Sequence, residues 1–480
     1  MTIVATRTGK VRGTLQDGVE AFRGIPYAQP PVGPLRFAPP VPHESWDGVL
    51  DANEFGPAPP QPMRVSPSDE WLTVNVWTPD VTASGLPVMV WFYGGRFTTG
   101  ASDESDCDGA RLAAPGVVVV SLNYRVAGEG FMLIDGAVPN RGLLDQVAAL
   151  KWVRDNIAGF GGDPNNVTVF GESAGAASLA MLMVMPAAAG LFHRGIAESV
   201  PNFLFGSDLA ADVTATVAGT LGLSATAGDL AAVAPQTLAD ATAGIEYQDR
   251  WGYPLSVRRS QFGPVIDGEI LPDSPFRALA VGVGREVELL IGHNRDEYRS
   301  VVHENGGTVT AEQAERALTS LPPIPDGARA YRAAHPNAGR TELYELVCSD
   351  FVYRMPTLHI AQAHASGGGT TNLYEFCYDA SPIGAAHTTE IPIVFGTLDS
   401  PVGSALYGSA PDADAVSREM SAAWRAFAAT GDPGWPAYEA VQQHTRVFDV
   451  SSTTTRYPEQ ASQRIWVDYP FDPFGVNATR

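Results

Sequence analysis

Cysteine is scarce. Three thiols in 480 residues, Cys107, Cys348 and Cys377, cannot build a disulfide framework, and an odd number leaves at least one free. Positive charge is also short, with 31 Lys and Arg against 53 Asp and Glu and a net charge of −22. Such a surface repels phosphate backbones and anionic lipid, so nucleic-acid and membrane-surface partners are disfavoured. No run approaches the roughly 18 apolar residues of a membrane-spanning helix. The longest tract, around Ala176–Ala189, is Met- and Ala-rich and is broken by Pro186. The opening MTIVATRTGKVRG has no apolar core of signal-peptide length. The expectation is a soluble, cytoplasmic protein, a processed secreted chain being the alternative. No internal repeat is found. No G-x-G-x-x-G follows an early strand, and Gly94-Gly95 and Gly161-Gly162 have the wrong spacing for one, which argues against a dinucleotide-binding oxidoreductase.

What is present reads as globular. Hydrophobic residues make up 45% of the chain, close to the average for folded domains, and the length allows a large core. Thr2–Ala5, Lys10–Leu15 and Val19–Arg23 read as short strands spaced by turn signals. A Pro-rich, extended stretch follows from Pro26 to Pro62. Leu86–Phe92, Gly116–Leu122 and Asn166–Phe170 are short, β-branched and bounded by turns, as buried strands are. Leu143–Ile157 carries apolar residues at helical spacing, and Ser173–Met185 reads as another helix. Ala210–Ala243 and Gly306–Ala365 are helix-rich; Val287–Gly292 and Asn372–Tyr378 return to strands. Ser417–Ala429 predicts a helix, with Arg446–Val450 and Arg464–Val467 as closing strands. Strands alternating with helices imply an α/β fold with a mostly parallel sheet and helices on both faces. One domain over 1–480, with a helical insertion at roughly 205–365, covers these features.

The segment VTVFGESAG, Val167–Gly175, is a buried strand followed by Gly171-Glu172-Ser173-Ala174-Gly175 and then a helix. The bare G-x-S-x-G pattern is weak, but strand–turn–helix is the context in which it acts. The turn lifts a serine above the sheet, and small residues at 171 and 175 permit the close approach this needs. Ser173 then lies at a helix N-terminus, where the Ala174 N–H can face a developing oxyanion. The competing reading is a structural turn.

At this point the chain resembles the type-B carboxylesterases of the α/β-hydrolase fold, the group that includes bacterial para-nitrobenzyl esterases and the cholinesterases. The resemblance rests on several long motifs in order. They are FRGIPYAQPPVGPLRFAPP (Phe22–Pro40), Asn123-Tyr124-Arg125, Asn140–Gln146, Lys151–Gly175, Leu191–Ser199 and QFGPVIDGEILP (Gln261–Pro272). It implies a serine carboxylesterase acting through an acyl-enzyme, with no cofactor and no metal. The implied partner is a small-molecule ester, and the oligomeric state is monomer or small homo-oligomer.

A serine hydroxyl needs a base and an orienting acid, and in this fold the order is Ser, acid, His. The strand Val287–Gly292 leads into His293-Asn294-Arg295-Asp296-Glu297. By resemblance the acid is Glu297, with Asp296 the near competitor, read otherwise as a turn or salt-bridge residue. Six histidines follow: His303, His335, His359, His364, His387 and His444. His359 and His364 fall in a helical stretch, His335 and His444 in polar loops, and His303 lies too close to the acid loop. His387 follows a late strand in a loop of small residues, and its flank, Glu390–Gly396, resembles the family's histidine segment. Tyr93-Gly94-Gly95-Arg96-Phe97 aligns with the family's Gly-rich oxyanion loop, so Gly94, Gly95, Arg96 and Ala174 are the expected main-chain donors.

Departures from the pattern carry their own expectations. The third loop glycine is Arg96. It could bind an acidic substrate group or pair with a carboxylate such as Glu172; pairing is the favoured reading. Trp71 stands where the family has a disulfide cysteine, and the partner region around Ala58 has none either. The intervening loop is shorter than in cholinesterases, which predicts a more open pocket with no choline site. The resemblance also implies that Glu172 and Ser199 support the histidine from behind. Phe97, Phe203 and Phe205 are acyl-pocket candidates, though core is the commoner role for such rings. Two rival functions remain: a carbamate- or amide-hydrolysing member of the same fold, and a non-catalytic cholinesterase-like binding module.

Overall fold

The computed structural model describes residues 2–476. Among these, eleven strands form one sheet. In chain order they are β1 (Thr14–Gln16), β2 (Val19–Pro26), β3 (Thr73–Thr78), β4 (Leu86–Phe92), β5 (Val118–Leu122), β6 (Gly162–Glu172), β7 (Arg194–Glu198), β8 (Glu288–Asn294), β9 (Thr371–Phe376), β10 (His444–Phe448) and β11 (Thr453–Arg456). Their spatial order is β11-β10-β9-β8-β7-β6-β4-β5-β3-β2-β1. The seven strands from β10 to β5 in that row are parallel. Antiparallel pairs finish both edges. A separate small sheet joins Ile3–Ala5, Lys10–Arg12 and Val49–Asp51.

The central strands β5 and β9 are buried along their whole length. Helices packed around the sheet remove both faces from water, so period-2 alternation is lost. The α/β-hydrolase expectation therefore holds at the level of fold. A local expectation does not. Arg464–Val467 is not a strand: Gln460–Trp466 is a helix that buries Ile465 and Trp466. A run of three apolar residues, Ile465–Val467, carries no period, and the Trp466 indole donates to the Tyr331 hydroxyl at 2.7 Å, a long-range contact that settles the matter. Ala210–Ala243 is three helices, Ser207–Thr220, Ala227–Ala231 and Pro235–Ala243. Gly222 at φ 70° ends the first, the Thr226 hydroxyl caps the second, and Pro235 opens the third.

Three of the sequence motifs turn out to brace the frame. The Arg125 and Asp145 side chains are fully buried and meet at 2.8 Å. The Asn140 side chain donates to the Val265 carbonyl and accepts from its N–H, both at 2.8 Å, tying the helix Arg141–Asn156 to the PVID segment. Trp71 is buried where a cystine would sit, and Ala58 is buried too.

The sheet order fixes where a site can form. β4 lies between β5 and β6, so the chain reverses its direction of winding there. The loops beyond the carboxyl ends of β4 and β6 flank that switch point, the usual crevice of open α/β sheets.

Candidate active site

Ser173 ends β6 with φ 53° and ψ −118° and opens the helix Ala174–Leu182. A non-glycine residue held there is strained and persists only because its surroundings over-determine it. They do so by close packing. A Cβ on Gly175 would lie 1.9 Å from the Phe92 carbonyl oxygen, and one on Gly171 would lie 2.7 Å from the same atom. The Ser173 N–H donates to the Glu198 carbonyl at 2.9 Å. The turn is thus locked between β4 and β7.

The loop after β4 packs directly on this turn. A Cβ on Gly94 would come within 2.6 Å of Glu172 Oε2 and 3.2 Å of Ser173 Cβ. Gly95, Arg96 and Phe97 all have positive φ, at 103°, 58° and 60°. Among the described residues, the N–H groups of Gly94, Gly95 and Arg96 donate no hydrogen bond. The Ala174 N–H, first of its helix, has no intrahelical partner.

His387 comes from the loop after β9. Its Nδ1 is 2.7 Å from Glu297 Oε2, and its backbone N–H donates to the Glu297 carbonyl at 3.2 Å. Glu297 is fixed in turn, its Oε1 accepting the Asn294 N–H at 2.8 Å. Asp296 is engaged elsewhere, by Arg295 and Arg299 at 3.0 Å each, so the near competitor is a salt-bridge residue. His387 Nε2 lies 3.0 Å from Glu172 Oε1, off the line of a hydrogen bond. The Ser173 hydroxyl makes no hydrogen bond among the described residues. Glu172, expected only behind the histidine, therefore touches it directly. Ser199 is strained at φ 58°, and its buried hydroxyl has no partner.

The remaining histidines lie apart. His364 bonds Thr371, His359 packs on Phe471, and burial pushes the His359 imidazole down to about 4. His303 is exposed on the helix Arg299–Glu304.

The surroundings are unusually anionic for a protein interior. Glu172, Glu198, Glu297 and Glu390 are all fully buried or nearly so. Burial pushes Glu198 up to about 8, against its bond from the Trp424 indole at 2.9 Å. Glu390 is held well above the carboxylate range by burial and then by the Glu172, Glu297 and Glu198 charges. For His387, burial works downward, but Glu172, then Tyr353 and Glu297, outweigh it and hold the imidazole well above its ordinary value. The Tyr353 ring lies against His387 with centroids 4.0 Å apart.

Tyr353 and Glu390 are residues that the motifs missed. Tyr353 sits in a π-helical turn, Asp350–Arg354, an irregularity frequent at functional sites but silent in a helical pattern. Glu390 stood in the quoted histidine flank without a role; its i+3 spacing from His387 was the available signal. Arg96 pairs with a carboxylate, as the favoured reading has it, though with a different one. Its guanidinium reaches Glu304, at 3.8 Å, and not Glu172, which is committed to His387. Phe97, Phe203 and Phe205 are all buried, with Phe97 packed on Phe131 and Phe203.

A hydroxyl at a helix N-terminus, next in sequence to the glutamate that touches a carboxylate-oriented imidazole, is suited to nucleophilic acyl transfer. The comparisons agree. The carboxylesterase family model matches residues 1–466. The chain is 37% identical to the para-nitrobenzyl esterase of Bacillus subtilis, over 96% of this chain and 98% of that protein. It is 32% identical to the acetylcholinesterase of Bungarus fasciatus, over 92% of this chain and 81% of that one. The crystal structure of the Geobacillus stearothermophilus carboxylesterase EST55 superposes with a TM-score of 0.88 at 34% identity, covering 97% of this chain and all of the other. The chain belongs to the carboxylesterase family and is a serine carboxylesterase of the α/β-hydrolase fold.

Proposed function

We propose that Ser173, His387 and Glu297 are the catalytic triad. Ser173 Oγ attacks the ester carbonyl while His387 Nε2 takes its proton. His387 then returns the proton to the leaving alcohol, and water repeats the cycle on the acyl-enzyme. Glu297 holds the imidazole by Nδ1 and stabilises it when charged. The N–H groups of Gly94, Gly95, Arg96 and Ala174 form the oxyanion hole, where one donor is worth about 2.7–4 kcal/mol. The observation that carries this is the 2.7 Å contact of His387 with Glu297, on the same end of the sheet as the strained Ser173. To reach Ser173, His387 must release Glu172; catalytic contacts are often long before substrate binds. Glu172 acts on His387 directly, and Ser199 packs behind it.

Substrates are small-molecule carboxylic esters, with simple aryl esters and para-nitrobenzyl esters first to test. Carbamates and activated amides suit the same machinery. Chain 1–480 works as one α/β-hydrolase unit with the helical insertion at 205–365, as a monomer or small homo-oligomer. Three unpaired, buried cysteines suit the cytoplasm. An organophosphate should label Ser173 in the native protein and not in Ser173→Ala. Native protein should hydrolyse a para-nitrophenyl ester with a higher kcat/KM than a choline ester. No label and no turnover would favour the binding module; a choline ester in first place would refute the open pocket.

A further inference from the structure

Arg96 is the one cation in the candidate oxyanion loop, and its contacts leave it under-paired. Its guanidinium lies 3.8 Å from Glu304 Oε2. Arg259 already holds that same oxygen at 2.8 Å. Two arginines therefore share one carboxylate oxygen, and neither has another acidic partner among the described residues. One positive charge is left uncompensated. The next residue, Arg258, is a further cation; it is buried, and its guanidinium nitrogens have no hydrogen-bond partner.

The pair faces open space. Arg96, Arg259, Ser256, Ser260 and Tyr247 line a cavity of about 270 Å³. Arg96 and Arg259 are about a third exposed, so a ligand can reach them. Both are held in the left-handed region, at φ 58° and 55°. The Ser260 hydroxyl ties the two segments together by donating to the Arg96 carbonyl at 2.9 Å. Arg96 lies in the loop proposed to supply the main-chain donors, and its charge works against the burial that raises the Tyr353 hydroxyl, whose ring lies against His387.

We infer that Arg96 and Arg259 form a subsite for a free carboxylate, so that the enzyme prefers esters carrying a second, unesterified acid group. This rests on Ser173 being the nucleophile. Two guanidiniums side by side suit a carboxylate, which can accept paired N–H bonds. Glu304 occupies that place in the free enzyme, and its single exposed carboxylate is held too loosely to resist exchange. The acid can lie on either side of the scissile bond. Monomethyl glutarate places it in the acyl part; 4-acetoxybenzoate places it in the leaving group.

The test is the ratio of kcat/KM for each acid to that for its neutral methyl ester, dimethyl glutarate or methyl 4-acetoxybenzoate. In Arg259→Met the ratio for at least one pair should fall fivefold or more. In Glu304→Gln the same ratio should rise threefold or more. Arg96→Ala should lower it as well, and 1 M NaCl should shrink all three changes. A ratio that stays within 1.5-fold of native for both pairs in Arg259→Met, or that fails to rise in Glu304→Gln, overturns the subsite. Organophosphate labelling of Ser173 reports folding in each variant, and the two surface changes act with opposite sign. If native enzyme hydrolyses neither the acid nor the neutral esters and Ser173 takes no organophosphate label, the nucleophile assignment fails instead.

Discussion

Glu172→Gln should move the acid limb of the pH profile to lower pH. His387 can act as a base only when neutral, so any group that stabilises its proton reduces activity at low pH. Glu172 Oε1 lies 3.0 Å from Nε2. A full charge at that distance is worth about 1.4 kcal/mol in water-like surroundings and about 5.5 kcal/mol at an effective dielectric near 20. Both groups are buried, so screening by salt is weak. Burial raises Glu172's own pKa, and the His387 charge opposes that rise. Even the lower figure is about tenfold in a protonation equilibrium. The assay is kcat/KM for a neutral para-nitrophenyl ester from pH 5 to 9, which reports groups of the free enzyme. Each profile is normalised to its own plateau, because the lost carboxylate also withdraws support from the imidazolium formed during attack. On the acid limb the variant should keep at least about ten times more of its plateau than native, by the Coulomb argument above. Superimposable normalised limbs would show that the Glu172 contact is not felt by the working histidine, and the reasoning would fall.

Two further substitutions test the buried charges. In Glu198→Gln the Trp424 bond can be kept while the ionisation is removed. Glu198 is pushed from 4.5 to about 8 in the folded protein, so the native state holds a proton the unfolded chain gives up. That contribution is full below about pH 4.5 and is lost as pH rises through about 8. The variant should show a flatter fall in melting temperature over that window and be the more stable protein at pH 8.5. An unchanged slope would contradict the burial argument. Arg258→Met removes a cation that burial pushes down to about 9 and that no carboxylate faces. It lies 4.1 Å from the Phe474 ring centroid and 4.8 Å from that of Phe203. Cation–π contacts return about 0.5–2 kcal/mol each, less than the several kcal/mol of desolvating a charge. Thermal denaturation should show a melting temperature equal to or above native; a clear drop would mean the rings hold the charge more tightly than this.

What the sequence disclosed was local or fixed by chain order. Ser173 is legible because strand, turn and helix are adjacent in the chain, and the turn's need for small residues is written at 171 and 175. Glu297 and His387 were singled out because each follows a buried strand in the required order, Glu297 over Asp296 by resemblance alone, and the structure brings the two within 2.7 Å of each other. The partners were not legible where the contact joins distant segments. That Nε2 of His387 meets Glu172 depends on how β6 and the loop after β9 face each other across β7 and β8. That Arg96 meets Glu304 depends on a short helix beyond the acid loop, and nothing near residue 96 announces it. Tyr353 was hidden because a π-turn leaves the helical apolar pattern intact while rotating one ring onto the histidine. Arg464–Val467 failed because a short apolar run is the same string in strand and helix.

The same geometry explains why the loop tolerates an arginine where relatives are expected to have glycine. Three positions are in question, and only two are closed by space. A Cβ on Gly94 would meet Glu172 Oε2 at 2.6 Å, and one on Gly95 would meet the Thr99 carbonyl oxygen at 2.3 Å. Position 96 carries a side chain that leaves the loop and reaches the solvent side, where Glu304 is half exposed. Its penalty is conformational, about 1–2 kcal/mol for a left-handed non-glycine residue, and it falls on the backbone φ. Main-chain donors do not depend on the side chain they carry, so an oxyanion loop built on backbone N–H groups can change its third residue without losing its donors. On the proposed assignment the arginine thus keeps its main-chain donor and adds a charge on the solvent side of the loop, where it meets Glu304.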